Sequence, residues 1–382
     1  MVDFGGMNIA NLAWVTVRKP TDLCTTTTRA LAMGLCEHGH RLTLLAVEDL
    51  AERSSAPWDH IPLRQSKRRG FQGRSLAKSA AAWFRTQSEA RDFDAVIVDW
   101  PLAPIVAPVV AALGIKLVLN DRSPPADAGV LARLQWRVWN RAWGMVTRGI
   151  IDCGSVVSTN HASFVTQQHG IEPDRLHVVP AGVDLDLFQP TIKTGKAPTR
   201  LVYHGRLDKN RGVLALPMLC QRLRTNGIDA QLTLVGDGNA LSGLTALAQQ
   251  HEWLTLLPKQ PHRAMGTILA EHDVGLLPMP PNKVWSMASP LKLSEYMASG
   301  LLVLGVDHDG HRPPGAEQAD WISLHAQSAF LEEGVRWLTQ LTSDDLNDGQ
   351  RRSRTYAELN CSWRHGVNAM VQMIQSVLVE SS

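Results

Sequence analysis

Short apolar runs rich in β-forming residues alternate with longer segments of helical period along most of the chain. Asn8–Val17, Arg41–Val47, Ala95–Val98 and Lys116–Leu119 read as strands, with Thr26–Glu37 and Leu102–Leu113 as helices between them. Gly39 and His40 read as the tight turn that feeds the second run. Such alternation predicts right-handed βαβ units and a parallel sheet covered on both faces. It runs on through Ser155–Thr159 and Leu176–Val179 and stops at Gln189–Pro198, a polar, proline-bounded stretch with the character of a linker. A second series follows: strand Arg200–His204, helix Val213–Thr225, strand Gln231–Val235, helix Leu241–His251, and strands Leu254–Leu257 and Val274–Leu277. Helix Pro290–Ser299 and strand Leu301–Gly305 close it. The expected fold class is therefore α/β, with two tandem doubly wound Rossmann-like domains facing a cleft at the carboxyl ends of their sheets. The expected boundaries are a first domain over 1–190, a linker over 191–199 and a second domain over 200–361. A final helix over 362–382 is expected to pack back on the first domain.

The 382 residues exceed an ordinary single domain, which agrees with a chain of two. Apolar residues at 44% and charged residues at 19% supply a full core. A balance of 38 Lys+Arg against 36 Asp+Glu gives no global reason to expect nucleic acid. Five cysteines without a Cys-x-x-Cys pair argue against a disulfide framework or zinc ribbon and fit a reducing cytosol. The opening residues lack the basic start of a signal peptide, and the apolar stretch Trp100–Ile115 contains three prolines and is too short to span a bilayer. A cytoplasmic protein is expected. Charge is nevertheless uneven: Arg64–Arg91 holds eight Lys/Arg against one acid, with Trp83 and Phe84. Arg133–Arg148 holds four arginines, three tryptophans and no acid. Basic helices carrying tryptophan suit an anionic membrane surface, so peripheral contact with the inner face of the membrane is expected. A solvated basic face over an ordinary core is the simpler alternative.

Three segments of the second half carry candidate chemistry. In Ser289-Pro-Leu-Lys-Leu-Ser-Glu-Tyr-Met-Ala-Ser-Gly300, Ser289 suits an N-cap and Pro290 the first helical position. Free amides at such a start attract anions, and Glu295 shares a face with Leu291, placed to grip paired ribose hydroxyls. In Tyr203-His-Gly-Arg-Leu-Asp-Lys-Asn-Arg-Gly212, a glycine turn and two arginines follow a strand, a means of holding a diphosphate. Val235-Gly-Asp-Gly238 is another glycine-rich strand end. Taken singly, these remain open to an ordinary capped helix, a solvated basic loop and a common turn.

Together, in order and spacing, they resemble glycosyltransferase family 4, whose fold is GT-B. Val179-Pro-Ala-Gly-Val-Asp-Leu-Asp-Leu-Phe188 is similar to that family's interdomain signature. The resemblance implies that Arg206 and Arg211, with Gly205, Gly236, Ser289, Pro290 and Leu291, hold a donor diphosphate. Glu295 matches the second glutamate of the family's paired-glutamate motif and would bind the ribose. The first glutamate's position holds Met287, which leaves backbone amides from Ala288 to Leu291 to contribute there. Arg211 stands where the family usually has lysine, keeping the charge but changing its geometry. In the first domain, Asn120-Asp121 corresponds to a family His-Asp pair, and Asp121 would position the sugar or the acceptor hydroxyl. A turn-capping role for Asp121 remains equally open. Asp22 and Thr25, in place of the family's glycine-rich loop, would line the acceptor side, although Thr25–Thr28 also suits capping of the next helix.

The Asp-x-Asp pairs Asp184/Asp186 and Asp307/Asp309 lack companion ligands, so no metal is assigned, and His204 and His262 read as structural or substrate-near. The resemblance implies a metal-independent, retaining glycosyltransferase with no cofactor. A nucleotide-diphosphate sugar would be the co-substrate and a glycan or lipid-linked acceptor its partner, as in polysaccharide or glycolipid synthesis. A nucleotide-sugar 2-epimerase of the same architecture, or a catalytically degenerate binding subunit, are the alternatives.

Overall fold

The computed structural model describes residues 9–19, 25–47, 56–68, 70–125, 130–191, 199–288, 291–316 and 319–379. The chain divides into two units: Met1–Pro180 with Trp363–Ser382, and Ala181–Ser362. The division falls ten residues before the expected boundary at 190, so the Ala181–Phe188 part of the proline-glycine-valine-aspartate segment belongs to the second unit. Most of the expected linker, 192–198, lies outside the described residues.

The first unit contains β1 (Asn11–Val15), α1 (Thr25–Glu37), β2 (Arg41–Val47), β3 (Asp59–Leu63), α2 (Gln72–Thr86) and β4 (Ala95–Asp99). It continues with α3 (Ala103–Ala111), β5 (Lys116–Asn120), α4 (Val130–Thr147), β6 (Cys153–Val156), α5 (Thr159–His169) and β7 (Leu176–Val178). All strands pair in parallel, in the order β3-β2-β1-β4-β5-β6-β7. A sheet covered on both faces needs apolar side chains at successive positions, and all five residues of β4 are buried. Gly39 turns the chain into β2 at φ +88°, a conformation open to glycine. β3 escapes the hydrophobic pattern because it contains Pro62. It pairs only with β2, and an edge strand tolerates a missing donor.

The second unit contains β8 (Thr199–Arg206), α6 (Ala215–Thr225), β9 (Ala230–Asp237), α7 (Leu241–Ala248), β10 (Leu254–Leu257), α8 (His262–Ala270) and β11 (Val274–Leu277). Then come α9 (Lys283–Ser286), α10 (Leu291–Ala298), β12 (Leu302–Val306), β13 (Ile322–His325), α11 (Phe330–Gln340) and α12 (Ser343–Asn360). Its parallel sheet runs β10-β9-β8-β11-β12-β13, the doubly wound order that reverses direction between β8 and β11. Loops at the carboxyl ends of strands beside such a reversal diverge and leave room for a ligand. The last helix, α13 (Trp363–Val379), belongs to the first unit. It packs on α1 so closely that a Cβ on Gly34 would stand 2.3 Å from Val367 Cγ2. Leu31, Leu35, Met370, Val371 and Ile374 join β1 residues Leu12 and Trp14 in one core.

Candidate functional site

In the second unit, β8 ends on Gly205-Arg206 and β9 on Gly236-Asp237, and these pairs sit opposite each other in the ladder. Any side chain on Gly236 would collide with the neighbouring strand, because its Cβ would fall 1.8 Å from the Gly205 carbonyl oxygen. Gly212, at φ +73°, is held as closely against the Pro278 carbonyl after β11, at 2.2 Å from an added Cβ. Glycine is thus the residue that lets three strand-end loops converge at the sheet's reversal point.

Charge surrounds that convergence. Arg206 is 58% exposed and forms a fork with Asp208 through two contacts of 3.1 Å, while Asp208 also accepts from the Asn239 amide. Arg211 is half-buried, with Nη1 3.7 Å from Met279 Sδ and its guanidinium 5.6 Å from the Trp285 ring centre. Lys292, one residue into α10, places Nζ 3.2 Å from the position a Gly205 Cβ would occupy. It donates to Tyr203 Oη at 3.4 Å, and Tyr203 Oη in turn donates to the Arg206 carbonyl. An open groove of about 650 Å³ continues outward from Gly236 along Leu241, Leu257, Pro258 and Lys259.

Glu295, one turn further along α10, is 4% exposed and lies between two imidazoles. His204 Nε2 is 3.1 Å from Oε2 and His262 Nε2 is 2.9 Å from Oε1. Burial pushes the Glu295 carboxyl up, but the two histidines outweigh it and hold it near 2. The same hydrogen bond raises His262 above its ordinary value against the opposing pull of burial. These two histidines, read from sequence as structural or substrate-near, turn out to flank the carboxylate of Glu295. No periodicity could have linked positions 33 and 91 residues away from Glu295.

Ser289 and Pro290 lie outside the described residues. Leu291 opens α10 and is half-buried, but the Ala288 amide is already given to the Trp285 carbonyl at 3.1 Å. The expectation that the 288–291 amides serve an anion is thus corrected at Ala288. Met287 is buried at 5% exposure, so an apolar side chain fills the first glutamate's position.

The first unit departs further from expectation. Asp121 is fully buried: its Oδ2 accepts from Trp139 Nε1 at 2.6 Å and Trp143 Nε1 at 2.9 Å, with His161 Nε2 at 3.3 Å. The assignment of Asp121 as a residue facing substrate is corrected, because the carboxylate is fully buried with both indoles on its Oδ2, and among the described residues it caps no turn amide. The strand-end carboxylate at the reversal between β1 and β4 is instead Asp99. It accepts from Thr16 Oγ1 at 2.6 Å, Asn120 Nδ2 at 2.7 Å, the Val17 amide at 3.1 Å and Trp14 Nε1 at 3.3 Å. Asn120 is thereby explained as a donor to Asp99. Asp22 lies outside the described residues, as does the Thr25 side chain. α1 starts at Thr25, so Thr25–Thr28 form its first turn rather than precede it.

Two of the tryptophans of the basic segments are core residues, while Trp83 and Trp136 are half-buried. Trp139 and Trp143 are fully buried, and Trp83 packs edge-on against Phe84. The cations remain outside: Arg133, Arg137 and Arg141 form an exposed stripe on α4, with Arg74, Lys78 and Arg85 exposed on α2. No helix among the described residues is long and apolar enough to cross a membrane. The two Asp-x-Asp pairs are engaged within the protein: Asp184 Oδ1 accepts the Asp186 and Leu187 amides, and Arg312 binds both Asp307 and Asp309.

The comparisons with known proteins follow the two-unit division. Residues 25–187 match Glycosyltransferase Family 4, and residues 198–340 match Glycosyl transferases group 1. This chain belongs to the family 4 and group 1 glycosyltransferases. It is similar to the Escherichia coli K12 protein named "Putative colanic acid biosynthesis glycosyltransferase WcaL", with 24% identity over 198 residues, 50% of this chain and 49% of that one. The chain spans about half the length of the curated relatives it matches. Among solved structures, a glycosyltransferase from Rickettsia africae shares the fold with a TM-score of 0.74 at 13% identity, covering 97% of this chain and 99% of its own. Anabaena HepE in complex with UDP does so with a TM-score of 0.70 at 12% identity, covering 96% and 100%. Both likenesses are to the GT-B architecture of two Rossmann-like domains.

Proposed function

We propose that this family 4 glycosyltransferase moves a sugar from a nucleoside-diphosphate donor to a glycan or lipid-linked acceptor in polysaccharide or glycolipid synthesis. The observation that carries this reading is the convergence of Arg206 and Arg211 on the glycine-only junction of β8 and β9, with Glu295 Oε2 3.1 Å from His204 on the same strand β8. Arginine forks suit diphosphate oxygens, and charge held in place there stabilises the leaving group as the glycosidic bond breaks. A carboxylate offers about four lone-pair sites, and with Oε1 hydrogen-bonded to His262 and Oε2 3.1 Å from His204, Glu295 keeps acceptor capacity for paired ribose hydroxyls. The Gly236 groove beside this junction suits the base. UDP bound in the HepE structure is one candidate for the nucleotide.

In this reading the reaction retains anomeric configuration, needs no metal or cofactor, and draws its acceptor to the first unit. A donor phosphate oxygen takes the acceptor proton. Exposed arginines of α4 and cations of α2 bring the protein to anionic lipid at the inner membrane face mainly through charge.

The deciding experiment incubates the protein with UDP-, GDP- and ADP-sugars, with and without membrane extract and with EDTA, and follows product anomers by NMR. Acceptor-dependent transfer with retention, unaffected by EDTA, supports the reading. Interconversion of the free donor without acceptor would instead make it an epimerase. Binding without turnover would favour the non-catalytic alternative, for which buried Met287 in place of the first glutamate is the specific argument.

A further inference from the structure

Among the described residues, Lys292 is a cation of this junction with neither a carboxylate partner nor a tryptophan face beneath it. Arg206 has Asp208, and Arg211 lies over Trp285. Lys292 Nζ has one weak hydrogen bond, to Tyr203 Oη at 3.4 Å, and stands 4.6 Å from the centre of the Tyr203 ring. Among the described residues it forms no ion pair with a carboxylate. Lys292 is half-buried, and an ammonium withdrawn from water without a carboxylate partner is poorly compensated, so a reason for it is to be sought in what binds there.

The position is specific. Nζ lies 3.2 Å from where a Gly205 side chain would begin, so the absent side chain leaves the ammonium facing the end of β8. Arg206 follows Gly205 directly, and Tyr203 Oη joins Lys292 to the Arg206 carbonyl. Lys292 and Glu295 are three apart on α10 and therefore share a face.

We propose that Lys292 is a further donor-binding residue: its ammonium meets a diphosphate oxygen over Gly205, between Arg206 and Arg211, and binding of the diphosphate charges it. This rests on the reading of the junction as a donor site. The surrounding charges support it. Burial, and then Arg211, draw the ammonium down to about 7, with Glu295 opposing. On the neighbouring turn, His311 is fully buried and held near 3 by burial, then His308, with Lys292 a smaller contributor. Tyr203, on β8, is pushed up to about 12 by burial and so faces the lysine as a neutral phenol. A dianion placed here favours the protonated amine. Binding near neutral pH then takes up protons, and affinity falls as pH rises past about 7.

The test is calorimetric titration of the full chain with UDP, GDP, ADP and inorganic pyrophosphate near neutral pH, in buffers of different ionisation enthalpy. Wild type is expected to take up a fraction of a proton per ligand. Lys292→Met is expected to lose about tenfold or more in affinity, together with most of that uptake. Lys292→Arg, which stays charged, is expected to bind well without the uptake. Unchanged affinity and proton uptake in Lys292→Met overturns the proposal. Should that variant fail to fold, equal proton uptake by wild type and Lys292→Arg overturns it just as directly. Wild type that binds none of these ligands would remove the donor reading itself, whereas wild-type binding with indifferent variants removes the role of Lys292 alone.

Discussion

His262 and Glu295, the first residue of α8 and the fifth of α10, meet through a 2.9 Å hydrogen bond that fixes the orientation of the carboxylate. The pair makes stability depend on pH from both sides. His262 is raised above 6.5, so its contribution is complete below that value and is lost as pH rises through its folded value. Glu295 is lowered from 4.5 to about 2, so its contribution is complete above 4.5 and is lost as pH falls toward 2. Both describe the same contacts and count once. Glu295→Gln is expected to cost about 1–3 kcal/mol near pH 6 and to return His262 toward its ordinary titration, followed by histidine NMR. It should also weaken a nucleoside diphosphate more than pyrophosphate, since only the former carries a ribose. Equal losses for both ligands would separate Glu295 from the ribose.

Arg206 allows its binding role to be separated from stability. Its guanidinium is exposed though Asp208 is largely covered, and pairs with an exposed member contribute about 1 kcal/mol. Arg206→Ala should therefore leave the melting temperature nearly unchanged while weakening nucleoside diphosphate binding about tenfold. Calorimetry and thermal melting on one sample check both halves, and unaltered affinity would remove Arg206 from the site.

Gly236→Ala tests the junction through packing. Its Cβ would enter the Gly205 carbonyl at 1.8 Å, and φ of +147° adds strain for any side chain. Both strand ends must move, with an expected cost of about 1–3 kcal/mol and a loss of donor affinity larger than that of a surface mutation. Gly243→Ala, which meets nothing within 4 Å, is the control.

What the sequence disclosed and what it hid divide along physical lines. β2 was legible residue for residue because a glycine turn precedes a largely apolar, leucine-rich run, and α10 because its motif and its period agree. β3 and β13 are short edge strands, one interrupted by Pro62 and the other half-exposed, so their patterns are weak. At the site, glycines and arginines next to strand ends were legible because local geometry demands them. The histidine clamp on Glu295, and the indole cluster around Asp121, depend on contacts between distant elements. Which way a strand-end side chain turns is set by those contacts: Asn120 and Asp121 point to different partners, Asp99 and the tryptophans of α4.

The α4 stripe gives a prediction in which charge is separated from aromatic insertion. Arg133, Arg137 and Arg141 are exposed while Trp139 and Trp143 are buried and Trp136 is half-buried, so attraction to lipid rests mainly on charge screened over about 8–10 Å at ordinary salt. Replacing the three arginines with glutamate should abolish flotation with anionic vesicles and leave the fold intact by circular dichroism. Wild type that floats equally with neutral vesicles would point to a different mode of contact.

Asp121 provides the sharpest contrast between position and role. Its Oδ2 takes both indole N–H groups, and Oδ1 has no hydrogen-bond partner among the described residues. In Asp121→Asn the amide oxygen can still accept from the two indoles, but the negative charge is gone and the amide nitrogen turns into the unpartnered place. Hydrogen bonds to charged groups contribute about 1.5–3 kcal/mol, so the variant should unfold at visibly lower denaturant while its folded fraction turns over at close to the wild-type rate. Asp121→Ala should cost more, since two buried indole donors are left without an acceptor. Trp143→Phe removes one donor and should bring a smaller loss through the same contact, making its effect non-additive with Asp121→Asn. Denaturant unfolding and turnover measured on each variant decide the matter. A stable Asp121→Asn protein with turnover depressed a hundredfold would return the carboxylate to the chemistry and require the indoles to release it during the reaction.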